Sequence, residues 1–313
     1  MPTTAVFLLN LGGPRNLEEV EPYLYELFSD PLLISAPFGP LRPLIAKLIS
    51  HLRAPSSAGK YALIGGKSPL VEETEKQARA LAAALGDGYT VHVAMRAGHP
   101  STGEGVREAL AAGAERAIAL PLYPQFANAT TLSSLLELRR LWPKVRPLAE
   151  VHAWHDHPGY LDASATVLRE TLAALSPAER EKALVVFSAH GLPMSQVRKG
   201  DPYPDHVEAS AKGTAERAGV TDWQVTYQSR VGPVKWLGPD TLEFLAANAR
   251  GRAIVSVPIA FVSEHLETLY DMDILGKDAA LKAGAIGYHR VPALGVRPDF
   301  IAALAEIVRA AGT

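Results

Sequence analysis

Short runs of consecutive apolar residues, separated by helical patterns, constrain this chain more than any other feature. Val6-Phe7-Leu8-Leu9, Leu184-Val185-Val186-Phe187 and Ile254-Val255-Ser256-Val257 are apolar at successive positions rather than alternate ones. A strand that is greasy on both faces must be covered on both, which belongs to parallel strands with helices on either side. Strands are expected near 5–10, 89–95, 116–122 and 148–153, and again near 183–188, 223–227, 253–257 and 286–289. Helical periodicity lies between them at 69–85, 105–112, 161–174, 204–218, 240–249 and 298–311. Such alternation implies βαβ units with right-handed crossovers. The expected fold class is α/β, as two Rossmann-like lobes, each a four-stranded parallel sheet flanked by helices.

Four strands in each half place the lobes at 1–155 and 156–313, with Pro158-Gly159 at the border and a terminal helix free to pack on the first lobe. A length of 313 residues, 48% of them apolar, supports cores of that size and excludes a disordered chain. The segment 29–64 departs from the alternation. Rich in Pro, Leu and Ile and closing on Arg53-Ala54-Pro55-Ser56-Ser57-Ala58-Gly59, it reads as a lid suited to a flat apolar ligand or a membrane surface, or more plainly as a helical hairpin covering the sheet.

A net charge of −2 gives no electrostatic footprint for nucleic acid. With no cysteine in the chain, disulfides, thiolate catalysis and cysteine-held iron–sulfur clusters are excluded. Met1-Pro2-Thr3-Thr4-Ala5 lacks a basic leader, and no apolar run reaches the roughly 18–20 residues of a membrane span. A cytoplasmic protein is expected.

Open α/β sheets bind ligands beyond the carboxyl ends of their strands, so the residues after each strand carry the chemistry. Asn10-Leu11-Gly12-Gly13-Pro14 and Gly103-Glu104-Gly105 match no complete dinucleotide fingerprint, and no phosphate loop is present. Ser188-Ala189-His190-Gly191-Leu192-Pro193 turns sharply out of the sheet and leaves His190 at a strand tip, where a general base or a metal ligand would sit. After the seventh strand, Ser263 is a plausible N-cap. At about 100° per residue Glu264, Glu267 and Asp271 then share one helical face within about 60°. Such acids either complement the helix dipole in solvent or form a row opposing His190 across a cleft. His152, His155 and His157 have the spacing of metal ligands, yet at a strand exit they read better as structural or surface residues.

Taken together, Leu8 through Pro14, Phe28-Ser29-Asp30-Pro31, Tyr61 through Leu70, Met95 through Pro100, Leu120 through Gln125, Ser188 through Pro193, Tyr227 through Pro233 and Ser263 through Tyr270 resemble the ferrochelatase family nearly end to end. The resemblance implies insertion of Fe²⁺ into a porphyrin, coproporphyrin III or protoporphyrin IX, in haem biosynthesis, within a cleft between two lobes. It assigns His190 and Glu267 to catalysis, and His190, Glu267 and Asp271 to the metal. Porphyrin contacts fall to Arg53, Tyr61 and Ser68 at the propionates, to Tyr123 and Trp236 along the cleft, and to Arg96, His265, Leu11 and Arg15. Iron is substrate, and no prosthetic group is expected. Porphyrin and ferrous iron are the partners, with peripheral membrane contact and transient contact with neighbouring haem-pathway proteins compatible with them. Two positions depart from the family pattern. Leu275 stands where many relatives extend the acidic row, and Arg15 stands where one coproporphyrin-using branch carries tyrosine. A chelatase for another tetrapyrrole, such as cobalt into sirohydrochlorin, and a non-catalytic haem- or porphyrin-binding protein are the alternatives.

Overall fold

A computed structural model describes residues 3–34, 39–230 and 234–312. It divides into two compact units, Met1–Ala153 with Leu304–Thr313, and Trp154–Ala303.

In the first unit, β1 (Thr3–Asn10) is followed by α1 (Val20–Ser29), α2 (Arg42–Leu63) and α3 (Leu70–Leu85). Then come β2 (Tyr89–Met95), α4 (Thr102–Ala111), β3 (Ala114–Pro121), α5 (Ser133–Leu141) and β4 (Leu148–Glu150). All pairings are parallel, in the order β2-β1-β3-β4. Central β1 is buried from Thr4 to Asn10, the two-sided cover that its unbroken apolar run requires. Phe7 and Leu9 pack with Val106, Leu135, Leu138 and Trp142 on one face, each large side chain contributing about 1.5–3 kcal/mol of transfer free energy. A Ser101/Glu104 capping box starts α4.

The second unit repeats the plan. It runs α6 (Pro158–Ala174), α7 (Pro177–Glu181), β5 (Ala183–His190), α8 (Met194–Val197), α9 (Tyr203–Ala218), β6 (Trp223–Gln228), α10 (Thr241–Asn248) and β7 (Ala253–Pro258). A π-helical segment Glu267–Gly276, α11 (Lys277–Lys282), β8 (Gly287–Arg290) and α12 (Pro298–Ala311) complete it. The sheet order β6-β5-β7-β8 is again all parallel, and Leu184, Val186, Leu245, Ile254 and Ala280 pack on one face. The second half of α12 counts with the first unit.

The expected strands are present. Within the segment 29–64 the helical-hairpin reading fits: α2 continues unbroken through Pro55 and the Ser-Ser-Ala-Gly run. It packs along α1, which supplies the tertiary contact that overrides weak local propensity. Residues 35–38 of that segment lie outside the described residues.

Candidate active site

In each sheet the chain reverses its winding direction between the two central strands, which is where α/β folds open a crevice for ligands. In the second unit those strands are β5 and β7, paired from Ala183↔Ala253 to Ser188↔Pro258. His190 is the last residue of β5, and the chain leaving β7 carries Glu264, His265, Glu267 and Asp271. Both partners of the expected pair therefore come from one sheet. The expectation of acids facing His190 from across a cleft is corrected.

The helix after β7 also differs from the expected one. Ser263 is not its N-cap, since helical structure begins at Leu266 and continues as a π-helix. Its wider i→i+5 turn abolishes the single acidic face inferred at α-helical spacing. Glu264 lies before the helix and accepts hydrogen bonds from Arg290 Nη1 at 2.8 Å and from the Ala293 N–H at 3.1 Å. Asp271 accepts from the Ser229 hydroxyl at 2.5 Å. Glu267 turns to the histidines. His265 Nε2 donates to its Oε2 at 2.5 Å, and His190 Nδ1 lies 3.2 Å from its Oε1. The buried Thr268 hydroxyl accepts from the His265 N–H and donates to the His265 carbonyl, locking that turn.

The electrostatics follow from this packing. Packing around His190 would by itself lower its pKa. The charges of Glu267, first, and Asp271 outweigh burial, and the pKa is raised. Burial would likewise raise the Glu267 carboxyl, but the two imidazoles overcome it and hold it well below the usual carboxylate range. Each partner thus favours the charged form of the other. His190 Nδ1 is buried while its side chain keeps 42% exposure, so the open part of the ring is the part turned away from Glu267.

At the corresponding tips of the first unit, the loop after β1 is pressed against the loop after β2. The Arg96 and Ala97 N–H groups donate to the Asn10 and Leu11 carbonyls. A Cβ on Gly12 (φ +95°) would meet the Ala97 carbonyl oxygen at 1.8 Å, so only glycine fits.

A family model for ferrochelatase matches residues 3–311. The chain belongs to the ferrochelatase family. The ferrochelatase of Synechococcus sp. (strain RCC307) is 44% identical over 98% of this chain and 82% of its own length. That of Geotalea daltonii is 42% identical over 98% of this chain and 97% of its own. Among solved structures, SirB from Bacillus subtilis with Fe3+ superposes with a TM-score of 0.55 at 14% identity, over 99% of this chain and 95% of that one, a likeness of fold.

The positions that ferrochelatase resemblance assigned to the porphyrin are placed unequally. Arg53 is half-buried on α2, its guanidinium 5.7 Å from the centre of the Phe28 ring. Tyr61 and Ser68 are buried, and the Ser68 hydroxyl accepts from the Leu70 N–H. Leu11 is half-buried, and exposed Arg15 is bound to Glu19 at 2.6 Å. Arg96 is committed inside its unit, pairing with buried Asp30 at 2.6 Å and donating to Ser133 at 2.7 Å. The Tyr123 hydroxyl is enclosed, and burial pushes its ionisation up. In the second unit Trp236 covers Gly191, where a Cβ would meet the Gln228 carbonyl oxygen at 3.0 Å and the indole at 3.3 Å.

The expected metal set of His190, Glu267 and Asp271 is not gathered into a chelate. Asp271 is turned to Ser229, and no group of three or more His, Asp or Glu among the described residues is placed to hold a metal. The 152–157 cluster is structural in geometry: His155 stacks on His206 with centroids 3.7 Å apart, and burial lowers its pKa. Residues 231–233 of the Tyr227–Pro233 motif lie outside the described residues. Sequence reading passed over Thr268, Tyr288 and Arg290, whose types carry no catalytic signal.

Proposed function

We infer that this chain is a metal-inserting enzyme of haem biosynthesis that adds Fe²⁺ to a porphyrin, with His190 and Glu267 at the ring centre. The observation that carries the reading is the contact of His190 Nδ1 with Glu267 Oε1 at 3.2 Å, at the winding reversal of the second sheet.

Insertion must overcome three barriers: a planar ring hides its nitrogen lone pairs, two N–H protons must leave, and Fe²⁺ must shed water. Binding energy from the ring faces and propionates is available to bend the macrocycle. Arg53 supplies a cation for a propionate, and Trp236 an aromatic face for the ring. His190 Nε2, the nitrogen not turned to Glu267, accepts a pyrrole proton when the imidazole is neutral. Glu267 holds the imidazolium that results, and His265 fixes the Glu267 carboxylate. Asp271, set by Ser229, is the next acid along the path for metal or protons, and Leu275 ends the row. Fe²⁺ is cargo, so ligands that bind and release it serve better than a closed cage.

Among the described residues no helix is long and apolar enough to cross a membrane. Peripheral contact is proposed for α2, whose exposed Leu44, Leu48 and Leu52 recur every fourth residue on a helix with basic side chains and no acid.

The test supplies Fe²⁺ or Zn²⁺ with protoporphyrin and, separately, coproporphyrin, and follows metalloporphyrin absorbance. Catalytic turnover is expected, and the ratio of the two rates names the substrate. His190→Ala should bind porphyrin and insert nothing. Stoichiometric binding by the parent protein without turnover would make it a carrier instead.

A further inference from the structure

The π-helical segment that carries Glu267 and Asp271 is tied to the chain just before it by one side chain that bonds to neither acid. Arg290 closes β8 and lies beside Ser256 of β7. Its Nε donates to Asp273 Oδ1 at 2.6 Å, and its Nη1 donates to Glu264 Oε1 at 2.8 Å. Glu264 precedes Glu267 by three residues, and Asp273 follows Asp271 by two. The guanidinium is largely withdrawn from water, with 14% of its side chain exposed. A planar fork with five donors can engage two carboxylates in fixed directions, which an ammonium cannot.

The segment depends on such outside support. A π-helix is rare because its own hydrogen bonding does not favour it. Here the Tyr288 hydroxyl donates to the Met272 carbonyl at 2.8 Å, and Gln228 Nε2 donates to the Glu267 carbonyl at 3.2 Å. Those bonds set the backbone height of the helix at single points. Arg290 spans the stretch from Glu264 to Asp273, and so constrains the rotation that aims Glu267 at His190.

We propose that Arg290 is a positioning residue for metal insertion, clamping Glu264 and Asp273 so that the Glu267 carboxylate is presented to His190. The inference rests on the insertion activity proposed above. Without the clamp the segment relaxes, Glu267 drifts from His190, and the chemical step slows while porphyrin binding, which uses other residues, persists. Supporting contacts of this kind around metal-handling sites are worth roughly tenfold to a hundredfold in activity.

The experiment measures kcat and the porphyrin KM with Zn²⁺ for the parent, Arg290→Ala and Arg290→Lys, and for Glu264→Gln and Asp273→Asn, which each open one arm if the arginine variants fail to fold. Arg297→Met, which removes an arginine bound to Glu170 and Asp299, is the control for losing a surface ion pair. The expected result is kcat down roughly tenfold to a hundredfold in Arg290→Ala, porphyrin KM unchanged, little recovery in Arg290→Lys, and partial recovery of Arg290→Ala on adding guanidinium ion at low concentration. Folded Arg290→Ala with parental kcat, or a fall in kcat matched by every single-arm variant and by Arg297→Met, would overturn the proposal. A parent protein that turns over no porphyrin would instead defeat the activity on which it rests.

Discussion

Glu267 Oε1 lies 3.2 Å from His190 Nδ1, while its other oxygen is bound by His265. One carboxylate thus sets the proton affinity of the imidazole proposed to do the chemistry. Burial depresses that affinity and the Glu267 charge raises it, with the charge prevailing. In Glu267→Gln the opposing charge is gone, so the His190 pKa should fall from above its ordinary 6.5 towards or below it. Imidazole NMR of the substrate-free protein measures this directly, and an unmoved titration would refute the coupling. For stability the signs are opposite. The raised His190 contributes fully below its ordinary pKa, and that contribution is lost as pH rises through the folded value. The depressed Glu267 contributes above its ordinary 4.5, and its contribution is lost as pH falls through the lowered folded value. Insertion by the parent should accelerate as pH climbs through the raised His190 pKa, because only neutral imidazole accepts a proton.

Arg53 and Arg96 should separate cleanly. Arg96 pairs with buried Asp30, and Arg96→Met leaves a carboxylate enclosed without its cation, at a cost of about 3 kcal/mol. Among the described residues Arg53 has no such buried partner, and Arg53→Ala removes a charged contact to a propionate worth about 1.5–3 kcal/mol, roughly tenfold to a hundredfold in porphyrin KM. Denaturant melts and steady-state kinetics check both. A KM effect from Arg96→Met as large as from Arg53→Ala would return Arg96 to the binding surface.

The strand tips were legible because a strand buried on both faces announces itself as an unbroken apolar run, as 184–187 and 254–257 do, and the chemistry of such folds follows the strand. His190 and the acidic segment after β7 were found that way, and the family resemblance then singled out Glu267. The shape of the helix after β7 was not legible. No local pattern distinguishes i→i+5 from i→i+4 bonding, and the choice is made by remote groups such as Tyr288 and Gln228. Reading Glu264 into the acidic face was the direct result. The plainer reading of 29–64 as a helical hairpin matches α1 and α2, since α2 runs through Pro55 with α1 to lie against.

Ser229 is the sole described non-glycine residue with positive φ, at +64°, and its hydroxyl reaches Asp271. The left-handed conformation costs about 1–2 kcal/mol for an L residue, and its presence at the site points to function. Ser229→Gly removes both the strain and the hydrogen bond, whereas Ser229→Ala removes only the bond. Both should slow insertion alike through a misdirected Asp271. Stability should diverge, with Ser229→Gly within about 1 kcal/mol of the parent and Ser229→Ala below it. Equal melting curves with parental rates would leave the Ser229–Asp271 bond without a role.

The exposed side of α2 gives the last prediction. Leu44, Leu48 and Leu52 face solvent, and the helix's charged side chains, Arg42, Lys47, Arg53 and Lys60, are all basic. An apolar stripe flanked by cations matches an anionic lipid surface, where each basic residue near the headgroups is worth about 1 kcal/mol. The protein should co-sediment with vesicles containing phosphatidylglycerol and much less with neutral ones, and added salt should weaken the binding. Leu48→Glu puts a charge of the wrong sign in the middle of the stripe and should abolish sedimentation while leaving turnover of detergent-dispersed porphyrin intact. Binding that is indifferent to lipid charge and to Leu48→Glu would show that α2 meets something other than a membrane.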